Sequence, residues 1–176
     1  GVAASAFTYA TWNPADKSGN ITLSNSNLTI TDIATSAARS TISKQTGKWY
    51  WETKFISGTT MRYGLATSIE SLSVPVGNSN LGIGYSNDGN IYSSGASIAA
   101  VTAYAVNDII GFAYDGTNYT ISFYKNNALQ TTILIGSYFS GVTFAAGGSN
   151  GVHTTNFGAT ALTYTPPTGF NAGLYN

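Results

Sequence analysis

The chain contains no cysteine, so disulfides and thiol chemistry are both excluded, and the redox compartment is left open. Charge is scarce as well: 8% of the 176 residues are charged, against about 25% in an average globular protein. Seven basic and seven acidic side chains cancel to a formal net charge of zero. Lys17, Arg39, Lys44, Lys48, Lys54, Arg62 and Lys125 are scattered, with no basic run to neutralise phosphates, so nucleic acid is not an expected partner. No apolar stretch approaches the ~20 residues of a membrane-spanning helix, so membrane insertion is not expected. The opening Gly1-Val2-Ala3-Ala4-Ser5 has no initiator Met and no basic region, and is not read as an intact signal peptide. His153 is the only histidine and no Gly-x-Ser-x-Gly elbow occurs, which leaves a serine nucleophile without a base in the expected context.

What is present points to a packed β protein. The 43% hydrophobic and 13% aromatic content argues for a core rather than disorder. The polar surface must then be built from Ser, Thr, Asn and Gly, a neutral surface common in extracellular and viral coat proteins. Period-two alternation dominates the chain. In Trp49 to Phe55, Trp49, Trp51, Thr53 and Phe55 share one face, while Tyr50, Glu52 and Lys54 share the other. Residues 110–114 and 119–124 read as a hairpin around Asp115-Gly116-Thr117-Asn118, and 20–24 with 27–31 as another around Asn25-Ser26. Asn126-Asn127, Asn87-Asp88-Gly89, residues 147–151 and Pro166-Pro167-Thr168-Gly169 are turn signals. Residues 74–78 and 95–103 are expected as exposed loops, with Pro75 forbidding a central strand. Strands of this length, with turns every 8–12 residues, indicate an all-β sandwich or barrel. No internal linker or repeat divides the chain, so residues 1–176 are read as one domain, with 1–11 as an N-terminal extension or linker.

Catalysis finds little support. His153, just after a Gly-rich loop, is expected at the surface or a strand edge. Glu52 and Glu70 are the only glutamates, and Glu52 is expected as a solvated strand residue near Lys48 or Lys54. The Asn87-Asp88-Gly89-Asn90 turn lacks the alternating acids of a calcium loop and is read as an ordinary turn. Gly82-Ile83-Gly84 is followed by no helix that could present an N-terminus to a phosphate. No metal or cofactor is expected. Trp49 and Trp51 are assigned to the core and Trp12 to a clamp on the N-terminal segment. Exposed aromatic rings beside Asn and Asp suit sugars, because the ring offers an apolar face and its neighbours take hydroxyls. On that basis Arg62, Tyr63, Asn78, Tyr85, Asn87, Asp88, Tyr92 and Tyr104 are the candidate ligand-binding residues.

Five phrases follow in a fixed order: Gly47-Lys48-Trp49-Tyr50-Trp51-Glu52, Gly84-Tyr85-Ser86-Asn87-Asp88-Gly89-Asn90-Ile91-Tyr92, Asn107-Asp108-Ile109-Ile110-Gly111, Thr120-Ile121-Ser122-Phe123-Tyr124-Lys125-Asn126-Asn127 and Asn156-Phe157-Gly158. In this the chain resembles a SPRY domain over roughly residues 12–170. The resemblance implies a single bent antiparallel β-sandwich, a concanavalin-like jelly roll, used for recognition rather than catalysis. Asn107 and Asn127 stand where the family often has Gly, and both tolerate left-handed backbone. Residues 11–17, 20–24, 156–158 and 164–170 are similar to SPRY-type segments of tailed-bacteriophage structural proteins. That similarity implies an extracellular virion module, in a fibre, tail or head decoration, present in many copies. Its partners would be other virion subunits and a host-surface polysaccharide or protein. The alternatives are a purely structural virion subunit, or a binding module of a larger secreted bacterial protein.

Overall fold

The computed structural model describes residues 6–139, 143–148 and 150–176. Fifteen strands follow in chain order: β1 Trp12–Lys17, β2 Ile21–Ser24, β3 Thr29–Asp32, β4 Ala38–Lys44, β5 Lys48–Gly58, β6 Arg62–Thr67, β7 Gly82–Ser86 and β8 Asn90–Ser93. The remainder are β9 Ala96–Ala100, β10 Ile109–Asp115, β11 Thr120–Lys125, β12 Ala128–Leu134, β13 Thr143–Gly148, β14 Gly151–Asn156 and β15 Asn171–Ala172. One 3₁₀ turn, Ile135–Ser137, follows β12. The first sheet runs β1-β4-β13-β6-β7-β8-β9, and the second runs β12-β11-β10-β5-β14-β3-β2, with β15 added beside β5. All pairings are antiparallel except the short β15–β5 ladder. The two sheets form the expected all-β sandwich.

Alternation explains the core. On β5, Trp51 and Phe55 turn inward, and Trp51 lies opposite Phe112 of β10 with the rings stacked 5.5 Å apart at 16°. Phe123 of β11 meets Phe112 edge-on at 5.9 Å. These join Trp12, Tyr63, Leu65, Ile83, Tyr85 and Ile91 of the first sheet in one apolar cluster. Both hairpins form where the turn residues place them. Asn25, Ser26 and Asn27 have positive φ between β2 and β3. Asn107 and Asn127 are also left-handed, at φ 75° and 69°, the geometry that glycine would otherwise supply.

Several local expectations need correction. Residues 96–100 form the edge strand β9 instead of a loop, because Ile98 and Ala99 pack against the core cluster. In the 68–81 loop Val76 is buried rather than exposed, packed with Ala37, Ala66 and Leu72 on the outer side of the first sheet. Trp12 lies in the core rather than clamping the N-terminal segment. Trp49, at the end of β5, is half-buried: it packs against the edge of the core cluster and meets Tyr175 at the surface. His153 is fully buried: β14 alternation turns it inward with Thr155, against Tyr63 at 4.2 Å between ring centroids. Glu52 is buried because residues 159–170 cross the outer face of the second sheet. Its carboxylate accepts Thr163 N–H at 2.9 Å and Tyr164 N–H at 2.8 Å. Of the residues read as an N-terminal extension, Tyr9 pairs with Tyr175 and Ala10 is buried, while 1–5 fall outside the described residues. In the turn 147–151, Ser149 also falls outside them.

Candidate functional site

The candidate residues separate by strand parity. Tyr63 on β6 and Tyr85 on β7 lie opposite each other in register and turn inward, where both are buried. Tyr104 inserts between the sheets and donates its hydroxyl to the Tyr85 carbonyl at 3.0 Å. These three rings, expected in or near loops, are core instead. Burial raises their hydroxyl pKa values, Tyr85 to about 12 with Asp108 adding to the effect, and Tyr63 and Tyr104 well above the ordinary value. Asn87 is committed to backbone: its Oδ1 accepts Met61 N–H at 3.0 Å and its Nδ2 donates to Thr59 O at 3.1 Å.

Arg62, Asp88 and Tyr92 converge on the outer face of the first sheet. Arg62 precedes Tyr63 and so points outward, and Tyr92 follows the inward Ile91. Between them runs Gly84 of β7, whose lack of a side chain lets the Arg62 chain lie across the strand. The guanidinium carbon sits 3.9 Å from the Tyr92 ring centroid, a cation–π contact. Tyr92 donates its hydroxyl to Asp88 Oδ2 at 2.7 Å. Asn90 donates to Asp88 Oδ1 through its backbone at 3.0 Å and its side chain at 3.2 Å. Ser97, opposite Tyr92 on β9, donates to Asn90 Oδ1 at 2.9 Å. Asn78 is exposed on the adjoining loop, which is pinned to the β8–β9 turn by Ser94 N–Ser79 O at 2.9 Å and Gly95 N–Gly77 O at 3.1 Å.

The electrostatics follow from this network. Burial pushes the Asp88 carboxyl up, but hydrogen bonds from Tyr92, Asn90 and Ser86 outweigh it and hold the group below the usual carboxylate range. The same bond to Asp88 raises the Tyr92 hydroxyl. Burial lowers the Arg62 guanidinium, while Tyr92 and Asp88 oppose that effect. Among the described residues its only hydrogen bond is a long one, Nη1 to Val76 O at 3.4 Å, while Nε is buried without a partner. Sequence reasoning missed Asn90 and Ser97. Asn90 could have been found as the second residue after an Asx turn at Asp88. Ser97 becomes visible only once β9 is paired.

The patch is a fixed cation on an aromatic ring, suited to holding a carboxylate or carbonyl. It contains no nucleophile–base pair, and His153 lies in the core instead. Among the described residues, no three His, Asp or Glu side chains gather as a metal site, and no helix is long and apolar enough to cross a membrane. A groove of about 510 Å³ lies elsewhere, beside residues 158–166.

Comparison with known proteins bears on the fold. No curated protein matches the sequence. Among solved structures, the SPRY domain of human HERC1 is similar at 13% identity and a TM-score of 0.69, with 82% of this chain and 96% of that one covered. The TRIM65 PSpry domain is similar at 12% identity and 0.68, covering 85% and 90%. The stonustoxin structure matches at 16% identity and 0.66, covering 85% of this chain and 27% of that one. Residues 48–155, well over half of the chain, match the model of the SPRY domain family. That span holds β5 through β14, and with them Arg62, Asp88 and Tyr92, so the chain belongs to the SPRY domain family.

Proposed function

We propose that this SPRY domain is a non-catalytic recognition module that binds a protein partner through the Arg62–Tyr92–Asp88 patch. We place it, as a multicopy subunit, on the outside of a tailed-bacteriophage virion, in a fibre, tail or head decoration. The observation that carries the recognition role is the Arg62 guanidinium stacked on Tyr92, with Tyr92 and Asn90 both tied to Asp88. Arginine and tyrosine dominate binding hot spots because each offers large contact area with directed hydrogen bonding. Here both are held in place before a partner arrives, which lowers the entropy cost of binding. The virion placement rests on the resemblance of residues 11–17, 20–24, 156–158 and 164–170 to phage structural segments, and on the uncharged Ser/Thr/Asn surface. Many copies on one particle would convert a weak single contact into firm attachment to a host-surface protein.

The test introduces Arg62→Ala and Tyr92→Ala into particles that carry the chain. Assembled particles with normal copy number should adsorb to host cells roughly tenfold less well or worse. Normal adsorption would refute the recognition role, and purified particles devoid of the chain would refute the virion placement.

A second reading, a purely structural virion subunit, is favoured by one observation. Strand β12 is a free edge of the second sheet, seven residues without charge or proline, with Leu129 57% and Leu134 56% exposed. Such an edge can accept a strand from a neighbouring subunit. Assembly failure on Leu134→Lys, with Arg62→Ala particles adsorbing normally, would favour this reading.

A further inference from the structure

The two ends of the described chain meet on one face and build an aromatic surface that the patch above does not use. Thr8 and Asn176 exchange backbone hydrogen bonds at 3.3 and 3.0 Å, and Ala10 N–H reaches Leu174 O at 2.8 Å. This pairing brings Phe7 to 4.4 Å from Tyr175, Tyr9 to 5.2 Å from Tyr175 and Trp49 to 5.3 Å from Tyr175, between ring centroids. Phe7 is 55% exposed, and the other three rings are half-buried. A soluble surface rarely gathers four aromatic rings unless they meet something. Lys44 is the cation of the group. Its Nζ is already engaged, 4.0 Å over the Trp49 ring and 3.2 Å from Asn176 Oδ1.

Tyr9 is also a wall of a groove of about 510 Å³, which runs on from the aromatic group along Leu162, Thr163, Tyr164, Pro166 and Ala172. No Lys, Arg, Asp, Glu or His lines it. Glu52 fixes this wall from behind through the Thr163 and Tyr164 amides. The backbone N–H groups of Thr160, Ala161, Leu162 and Thr165 make no hydrogen bond within the described chain. They are solvent-facing donors not committed to the chain's own backbone, beside threonine hydroxyls that both donate and accept.

From this the structure assigns the Phe7–Tyr9–Tyr175 face and its groove as a binding site for a neutral polysaccharide of hexopyranose rings. The C–H faces of the sugar rings cover the aromatic group, and their hydroxyls take up the unpaired amides and the threonines. An anionic polymer would find only Lys44, engaged by Trp49 and Asn176, and Lys48, already paired with Asp115, and a basic peptide would find no carboxylate in the lining. The absence of charge thus selects the occupant as much as the rings do. The site is separate from the Arg62 patch and stands or falls without it.

Affinity electrophoresis of the full chain tests the assignment, in native gels cast with dextran, soluble starch, galactomannan, alginate or nothing. The wild type should be retarded in at least one neutral-polysaccharide gel. Phe7→Ala, at an exposed ring whose removal spares the fold, should weaken that retention by about fivefold to tenfold, and Tyr9→Ala similarly where it folds. Arg62→Ala should migrate as the wild type does. Free mobility in every neutral gel, retention confined to alginate, or retention untouched by Phe7→Ala would each overturn the assignment.

Discussion

Arg62 on β6 places its guanidinium 3.9 Å from the ring centroid of Tyr92 on β8, across a strand whose Gly84 offers no side chain in between. One missing Cβ thus permits this cation–π pair. Packing on the outer face of the first sheet, not loop composition, sets the geometry of the patch.

Gly84→Ala should break that geometry. A Cβ there would lie 2.6 Å from Arg62 Cγ and 2.7 Å from Val76 O, so the arginine and the 68–81 loop must both shift. A stability loss of about 1–3 kcal/mol is expected. Partner binding should fall with it to the level of Arg62→Ala. Denaturant unfolding and adsorption measured on the same variant check both, and an unchanged midpoint with full binding would show that the close approach is not needed.

Much of the fold is legible in the sequence because the strands obey parity. Trp51, Phe112, Phe123 and the turns at Asn107 and Asn127 all follow from alternation and turn chemistry. What parity alone hides is what lies above each face. Tyr50 and Glu52 share an outer face as read, yet both are buried, Glu52 under a segment more than a hundred residues away in the chain. Arg62 and Tyr63 are adjacent in sequence and point to opposite sides, so proximity in sequence put a core tyrosine into the candidate site. Gly-rich flanks suggested a surface position for His153, whereas its shared parity with Thr155 decides its burial.

Glu52→Ala should loosen the C-terminal segment. It removes the acceptor for the Thr163 and Tyr164 amides, which lie partly buried. The expected cost is about 2 kcal/mol. Amide exchange across residues 159–166 should become at least about tenfold faster. Unchanged exchange would mean that the segment is held by its other contacts.

His153 makes stability pH-dependent on the acid side of neutrality. Burial lowers its pKa well below 6.5, and neither ring nitrogen has a hydrogen-bond partner among the described residues. The unfolded chain therefore takes up a proton near pH 6.5 that the folded chain refuses. Stability is full above that value and declines as pH falls toward the folded-state pKa, by up to about 1.4 kcal/mol per pH unit. Asp88, Asp108 and Asp115 are held below the carboxylate range, so their contribution is lost only at lower pH, as it falls through 3.8 and below. Urea midpoints between pH 7.5 and 5 should fall for the wild type and stay nearly flat for His153→Phe. Parallel curves would contradict the assignment to His153.

Arg39 anchors the start of the loop beside the patch. It forms a two-point ion pair with Asp16, with both contacts at 2.8 Å, and donates to Glu70 O at 2.7 Å and Thr67 O at 3.3 Å. Its side chain is buried while Asp16 is partly solvated, which reduces the cost of stranding the carboxylate. Arg39→Met should cost about 2 kcal/mol and speed exchange in residues 68–81. An effect on exchange confined to β4 would show that the loop does not depend on this anchor.

The most direct measurement is photo-crosslinking from a benzoylphenylalanine placed at Asn78, exposed beside the patch, in assembled particles bound to host cells. One discrete host-surface protein, captured by the Asn78 probe and lost when Arg62→Ala is added, is the predicted result. Crosslinks only to other virion subunits, or the same capture with Arg62→Ala present, would contradict a recognition role for the Arg62–Tyr92 patch.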